Sequence, residues 1–121
     1  MDKILFIINP IAGGGRAEQI APMLEKLMKD IKIDYNIVFT KKPKDAIKIS
    51  KEGLNKGYNK IVAVGGDGTV NEVALGILES GKGTLGIIPS GTGNDLAPTL
   101  HIPFYLEETI SVRTKGANKK I

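Results

Sequence analysis

Short apolar, β-branched runs alternate with stretches of helical periodicity through most of this 121-residue chain. The runs span residues 3–10, 33–40, 60–66 and 84–90. Runs that are apolar throughout are typical of strands with both faces covered. Strands that alternate with helices predict an α/β fold, a doubly wound parallel sheet with right-handed crossovers. At this length we expect a single domain around one core.

Apolar residues at spacings of three and four predict the intervening helices. We expect helices over residues 16–29, from Pro43 to about Leu54, along the stretch from Val70 to Leu78, after residues 91–97 and from Pro103. Pro22 implies either that the first helix begins after Arg16 or that it is kinked, because proline breaks the helical hydrogen-bond ladder. Thr69 and Glu72 have the spacing of a capping box, so we expect them to cap the third helix.

The composition excludes several kinds of chemistry. The chain has no cysteine and one histidine, His101, which excludes disulfides, thiolate catalysis and metal sites built from cysteine or several histidines. Its net charge of +4 suits phosphate ligands, nucleic acid or an anionic membrane, although a plainly solvated lysine surface explains it as well. The scarcity of arginine and aromatic residues argues against nucleic acid. The apolar run near the N-terminus is too short for a signal peptide, so we expect a cytoplasmic protein.

Three glycine-bearing turns follow predicted strands and precede helices, at residues 9–16, 65–69 and 90–95. In a parallel sheet all three emerge at the carboxyl edge, where open α/β sheets bind ligands. Glycines let backbone N–H groups approach an anion closely, and helix N-termini add partial positive charge. The turns therefore predict a phosphate-rich ligand, with Arg16 and Thr40 as further contacts. The P-loop signature is absent from the sequence.

Asp67 lies in the middle of the second of these turns. A carboxylate there repels a bound phosphate unless it acts through a cation or on a proton of the group that attacks the phosphate. Both roles belong to phosphoryl transfer. The alternative is that Asp67 only caps the helix. Asn94 and Asp95 carry a weaker signal, because such residues after glycine commonly begin helices.

Three segments, "FIINPIAGGGR", "VGGDGTVNEV" and "LGIIPSGTGNDLA", carry a resemblance to a known family. In this order they resemble the N-terminal domain of the diacylglycerol kinase catalytic-domain family, most closely its soluble bacterial lipid kinases. The turn "GGDGT" is also similar to that of NAD kinases and phosphofructokinases, whose N-terminal domains have the same α/β architecture. The resemblance covers essentially the whole chain.

The resemblance implies transfer of the γ-phosphoryl group of ATP, with Mg²⁺, to a lipid hydroxyl such as that of diacylglycerol. The implied nucleotide-binding residues are Asn9, Pro10, Ala12, Gly13, Arg16, Thr40, Gly65, Gly66, Asp67, Gly68, Thr69, Val70, Asn71 and Thr92. Asn94 and Asp95 would face the lipid acceptor. Asp67 is the expected catalytic residue and a candidate metal ligand, while the main metal ligands are expected in a second domain.

The resemblance also implies a β-rich C-terminal domain, which residues 1–121 lack. We therefore expect a truncated sequence that binds ATP weakly and transfers phosphate poorly or not at all. The protein would act at the inner membrane face, where lysines 41, 42, 44 and 48 are candidates for docking anionic lipid, a hypothesis that charge reversal and liposome pelleting would test. Rival functions are an NAD kinase-like or other soluble-acceptor kinase, a non-catalytic nucleotide sensor and a nucleic-acid-binding module.

Overall fold

The computed structural model of the protein describes residues 2–89. Strands and helices alternate along this part of the chain. They are β1 (Lys3–Ile8), α1 (Arg16–Lys29), β2 (Asp34–Phe39), α2 (Asp45–Asn55), β3 (Lys60–Gly65), α3 (Asp67–Ser80) and β4 (Thr84–Pro89). The predicted end of the fourth strand at Ser90, the helix after residues 91–97 and the helix from Pro103 lie outside the described residues.

The four strands form one parallel sheet in the order β2, β1, β3, β4. Each strand has six residues, and Ile8 of β1 lies level with Phe39 of β2 and Val64 of β3. The ends of these three strands therefore form one even edge. The predicted α/β class and parallel sheet are confirmed.

Successive strand residues point to opposite sides of the sheet, so both faces carry apolar side chains. Helices cover both faces. On one face, α1 buries Ile20, Leu24 and Met28 against Phe6 and the residues that share its face. On the other face, α2 and α3 bury Leu54, Val73 and Ile77 against Leu5 and its neighbours. The central strands β1 and β3 are buried along almost their whole length, as their continuous apolar sequences predict.

The helix predicted over residues 16–29 is confirmed as α1, whereas the second helix begins later than its proline predicts. α1 begins at Arg16 and continues past Pro22, so a later start is wrong. Pro22 is exposed, and its ring is accommodated on the solvent side of the helix. α2 begins at Asp45, two residues after Pro43, because Lys44 adopts a left-handed conformation with φ 74° and cannot be part of a helix.

Candidate functional site

The turns after β1 and β3 lead to opposite faces of the sheet. The turn after β1 runs into α1, and the turn after β3 runs into α3 on the other side. Because β1 and β3 are neighbours, the two turns separate at the carboxyl edge and leave a crevice between them. Ligands of open α/β sheets bind at such a point.

Left-handed glycines and a hydrogen bond to the Asn9 side chain shape the turn after β1. Gly13, Gly14 and Gly15 all have positive φ, at 63°, 68° and 95°. The Asn9 side chain accepts a hydrogen bond from the Ile11 N–H group at 3.2 Å, which starts the turn. The N–H groups of Gly13 and Gly14 donate to no acceptor within residues 2–89. Two amides of this turn are therefore available to an anion.

The turn after β3 has a close contact at its start. A Cβ atom at Gly65 would lie 2.8 Å from Thr69 Oγ1 and 3.5 Å from Ala12 Cβ. The missing side chain of Gly65 therefore makes room for Thr69 at the start of α3, while 3.5 Å to Ala12 is an ordinary van der Waals distance. The helix α3 begins immediately, and no side chain among the described residues caps it. Its first amides, those of Asp67, Gly68 and Thr69, are left without intrahelical partners and carry the positive end of the helix dipole.

The predicted capping box is wrong. Because α3 begins at Asp67, Thr69 is already inside the helix, and it is buried at 6% exposure beneath Gly65. Glu72 caps a different helix: its Oε2 accepts from the Lys44 N–H at 3.1 Å and its Oε1 accepts from the Ala46 N–H at 3.3 Å. The Glu72 carboxylate on α3 thus binds amides at the beginning of α2, and the two helices pack side by side.

Asp45 holds the loop between β2 and α2 from its other side. Its Oδ2 accepts hydrogen bonds from the N–H groups of Lys41 at 2.8 Å and Lys42 at 3.1 Å. These backbone donors, together with the nearby lysine charges, lower the pKa of Asp45 below its usual value. At the start of the loop, the Thr40 N–H donates to the Ile8 carbonyl at 2.8 Å. The loop therefore has a defined shape although it is exposed.

A cleft of about 290 Å³ opens between this loop and the two turns. Its lining residues are Asn9, Pro10, Ile11, Thr40, Lys41, Lys42, Pro43, Gly68, Thr69 and Glu72. Five predicted nucleotide-binding residues thus meet in one cleft, although they come from three separate segments of the chain. The remaining five were not predicted for this role.

Other predicted residues share the carboxyl edge without lining this cleft. They are Ala12, Gly13, Arg16, Gly65, Gly66, Asp67, Val70 and Asn71. Arg16 and Asp67 are exposed and stand at the first positions of α1 and α3, respectively. Thr92, Asn94 and Asp95 lie outside the described residues.

For most of the five lining residues that were not predicted to bind the nucleotide, the local sequence carries no signal of this position. Lys41 and Lys42, two of the four lysines predicted to dock anionic lipid, line the cleft, whereas the other two, Lys44 and Lys48, line a separate groove along α2. Ile11 is 78% exposed. Its position in a glycine-rich turn is the sequence feature that could have indicated this exposure. Glu72 was misassigned because its partners are 26 and 28 residues away in sequence.

The acidic residues at this edge bear on whether the site could hold a metal ion. Residues 2–89 contain no group of three acidic or histidine side chains arranged to bind one. Both oxygens of Glu72 are engaged by backbone amides, which leaves the exposed carboxylate of Asp67. Mg²⁺ in kinases is commonly held by one or two carboxylates together with phosphates of the substrate. Asp67 fits such a site as a single protein ligand.

The helices of the described part do not include a membrane span. None between residues 2 and 89 combines the length and the apolar character that crossing a bilayer requires. The longest, α1 and α3, have 14 residues each.

Comparison with known proteins identifies a family. Residues 3–121 match the family described as the diacylglycerol kinase catalytic domain. The chain is 34% identical over 116 residues to a diacylglycerol kinase of Staphylococcus carnosus (strain TM300), covering 95% of this chain and 38% of that protein. It is 36% identical over 118 residues to a diacylglycerol kinase of Staphylococcus epidermidis (strain ATCC 12228 / FDA PCI 1200), covering 95% of this chain and 37% of the relative.

A solved structure gives the same result. A crystal structure of a diacylglycerol kinase from Bacillus anthracis str. Sterne superimposes with a TM-score of 0.59 at 36% identity, covering 94% of this chain and 43% of that one. The chain therefore spans less than half the length of each of these relatives. The match over residues 3–121 and the identity to the relatives show that the chain belongs to the diacylglycerol kinase catalytic-domain family.

Proposed function

We propose that this chain is the ATP-binding part of a lipid kinase, which transfers the γ-phosphoryl group of ATP to a lipid hydroxyl such as that of diacylglycerol. The observation that supports the proposal most directly is the pair of turns at the ends of β1 and β3. Each presents amides without a partner in residues 2–89, and a cleft of about 290 Å³ lies beside them.

The phosphates of ATP would occupy the crevice between the two turns. The N–H groups of Gly13 and Gly14 would bind them from one side, and those of Asp67, Gly68 and Thr69 from the other. The dipole of α3 favours an anion at that end. The ammonium groups of Lys41 and Lys42 would add positive charge from the third wall of the cleft.

The remaining polar groups of the cleft would orient the nucleotide. Asn9 and Thr40 line the cleft and offer an amide and a hydroxyl, which can each donate or accept a hydrogen bond. Thr40 follows β2, and the hydrogen bond from its N–H to the Ile8 carbonyl fixes its backbone at the rim of the cleft. Pro10 and Ile11 supply apolar surface for a base or ribose.

In the transfer step, the lipid hydroxyl oxygen would form a bond to the γ-phosphorus while the bond from that phosphorus to the bridging oxygen breaks. The bridging oxygen keeps the electron pair and leaves with ADP, and the hydroxyl proton passes to a base. Asp67 is the residue of this chain proposed to act on the acceptor or to hold Mg²⁺. Mg²⁺ would neutralise phosphate charge when bound.

An NMR titration of the 121-residue chain with MgATP tests the nucleotide site. We expect amide shifts concentrated at residues 9–16, Thr40, residues 65–71 and Thr92. Adenosine at the same concentration is the matched control, because it lacks the phosphates and should leave Gly13 and Gly14 unshifted. Silence at these positions at millimolar MgATP, or shifts confined to the lysine groove of α2, would contradict the proposal.

A further inference from the structure

Glu72 makes a contact that joins two walls of the cleft. It stands on α3, just after the glycine-rich turn that follows β3, and its side chain lines the cleft. Its two carboxylate oxygens accept hydrogen bonds from the N–H groups of Lys44 and Ala46, at 3.1 Å and 3.3 Å. Both oxygens of Glu72 are therefore hydrogen-bonded to the beginning of α2.

The segment that Glu72 holds is the third wall of the cleft. Residues 40–43 run from the end of β2 to Lys44, and all four line the cleft. At one end the Thr40 N–H is bound to the Ile8 carbonyl, and at the other end the Lys44 N–H is bound to Glu72. Asp45 fixes the middle from within, through Lys41 and Lys42. Loss of Glu72 would remove the hydrogen bonds that tie this end of the wall to α3, while Asp45 would keep residues 41 and 42 bound to α2.

Lys44 explains why a carboxylate from another element is needed. Its left-handed backbone, φ 74°, ends the loop one residue before α2, and no side chain of the loop caps the helix. Within residues 2–89 the N–H groups of Asp45 and Ile47 donate to the carbonyls of Lys42 and Lys44. Glu72 binds the two N–H groups that remain at this end, those of Lys44 and Ala46. A carboxylate at a helix N-terminus is favoured by the helix dipole as well as by hydrogen bonds.

We infer that Glu72 is a positioning residue: by capping α2 from α3, it holds the wall formed by residues 40–43 at a fixed distance from the amides of Gly68 and Thr69. This inference rests on the proposed ATP site, whose width it would set. It assigns Glu72 no contact with ATP and no part in the transfer of the phosphoryl group.

A role through charge alone and a positioning role predict opposite effects of Glu72 substitutions on ATP binding. A carboxylate beside bound phosphates weakens binding by repulsion, so its neutralisation in Glu72→Gln would strengthen ATP binding if charge were all that mattered. The glutamine has one acceptor oxygen and one amide that must donate, and it can satisfy only one of the two N–H groups. A positioning role therefore predicts weaker binding for Glu72→Gln. It predicts the same for Glu72→Asp, which keeps the charge but is shorter by one methylene.

Glu79→Gln provides a matched control. Glu79 also stands on α3 and also links it to α2, through an ion pair of 3.0 Å with Lys51. It lies two turns further along the helix and does not line the cleft. Its loss removes a contact between the same two helices and leaves the hydrogen bonds of the cleft wall in place.

The experiment measures the MgATP dissociation constant and the amide hydrogen exchange of the 121-residue chain and its three variants. We expect binding weaker by about tenfold in Glu72→Gln and Glu72→Asp, since a hydrogen bond to a charged group is worth that much in affinity. Glu79→Gln should bind within about twofold of the wild type, as exposed ion pairs contribute little. In the ligand-free variants at Glu72, exchange at Lys44 and Ala46 should become faster, with shifted amide signals at residues 40–42.

The outcomes separate this inference from the proposed function. Unchanged or tighter ATP binding in both variants at Glu72 would overturn the positioning role and leave the nucleotide site standing. Equal weakening in Glu79→Gln would overturn it too, because the effect would then come from loosened helix packing. If the wild type binds no MgATP, the proposed function fails. The inference is then tested by the ligand-free spectra of the variants at Glu72, and unchanged hydrogen exchange at Lys44 and Ala46 would overturn it.

Discussion

Gly65 and Gly68 lie three residues apart in the same turn, and the structure gives them different reasons to lack a side chain. At Gly65 a Cβ atom would lie 2.8 Å from Thr69 Oγ1, so the missing side chain allows close packing. At Gly68 a Cβ atom would meet nothing within 4 Å, and the residue lines the cleft. Gly68 therefore keeps open the space that a phosphate would occupy.

Gly68→Ala should separate stability from binding. The new methyl group finds free space and alanine favours a helix, so the free energy of unfolding should stay the same or rise by up to about 0.5 kcal/mol. ATP binding should weaken by about tenfold or more because the methyl group covers the amides of the first turn. Urea unfolding and an ATP titration of the same sample measure the two effects.

Gly65→Ala is the matched comparison for this variant. Its methyl group would press on a buried threonine, so we expect a loss of about 1–3 kcal/mol in the free energy of unfolding as well as weaker binding. If Gly68→Ala bound ATP like the wild type, Gly68 would not lie against the phosphates, and the proposed orientation of the nucleotide would be wrong.

Among the elements, α2 and α3 pack closely against each other at Gly76. A Cβ atom at Gly76 would lie 2.7 Å from Ser50 Cβ and 2.9 Å from the backbone oxygen of Ile47. Ser50 is fully buried, and its hydroxyl donates to the Ala46 carbonyl at 2.6 Å. This close approach places Glu72 within reach of the beginning of α2.

Gly76→Ala should force the two helices apart, since the backbone of Ile47 cannot give way as a flexible side chain would. We expect a loss of about 1–3 kcal/mol in the free energy of unfolding, measured in urea. Leu75→Ala is the control on the same helix: Leu75 is 41% exposed, and its truncation should cost less than about 1 kcal/mol. Equal stability of Gly76→Ala and the wild type would contradict the tight contact.

At the scale of the whole molecule, the chain is one parallel sheet with helices on both faces and a cleft at its carboxyl edge. It spans 38% of the Staphylococcus carnosus relative and 43% of the Bacillus anthracis chain. Phosphoryl transfer needs the nucleotide, the acceptor and the charge-stabilising groups to be held together. The described residues provide a proposed place for the nucleotide, but no group of acidic residues for metals.

We predict that the 121-residue chain binds MgATP weakly and transfers phosphate to diacylglycerol poorly or not at all by itself. Labelled ATP and diacylglycerol in mixed vesicles measure the transfer, and the Staphylococcus carnosus diacylglycerol kinase in the same vesicles is the positive control. Robust turnover by this chain alone would refute the prediction. Phosphorylation of NAD in place of the lipid would favour the rival function of a soluble-acceptor kinase.

The strands, the helices and their parallel arrangement could be predicted from local patterns along the chain. Apolar runs of strand length, helical spacing and glycine turns are local signals, and each specifies the conformation of the residues that carry it. They also predicted the carboxyl edge as the binding edge, because turns that follow parallel strands must meet there. The boundaries were wrong by one or two residues where Pro43 and Lys44 shape the beginning of α2.

Which side chains meet across the cleft could not be predicted in this way, because the contacts join segments that are far apart in the chain. The spacing of Thr69 and Glu72 satisfies a local rule, yet Thr69 is buried under Gly65 and Glu72 caps another helix. Lys41 and Lys42 face the cleft because Asp45 and Glu72 shape their loop. The close packing of α2 and α3 brings the N–H groups of Lys44 and Ala46 within hydrogen-bond distance of the Glu72 carboxylate, and a spacing rule along one helix cannot predict a contact between two helices.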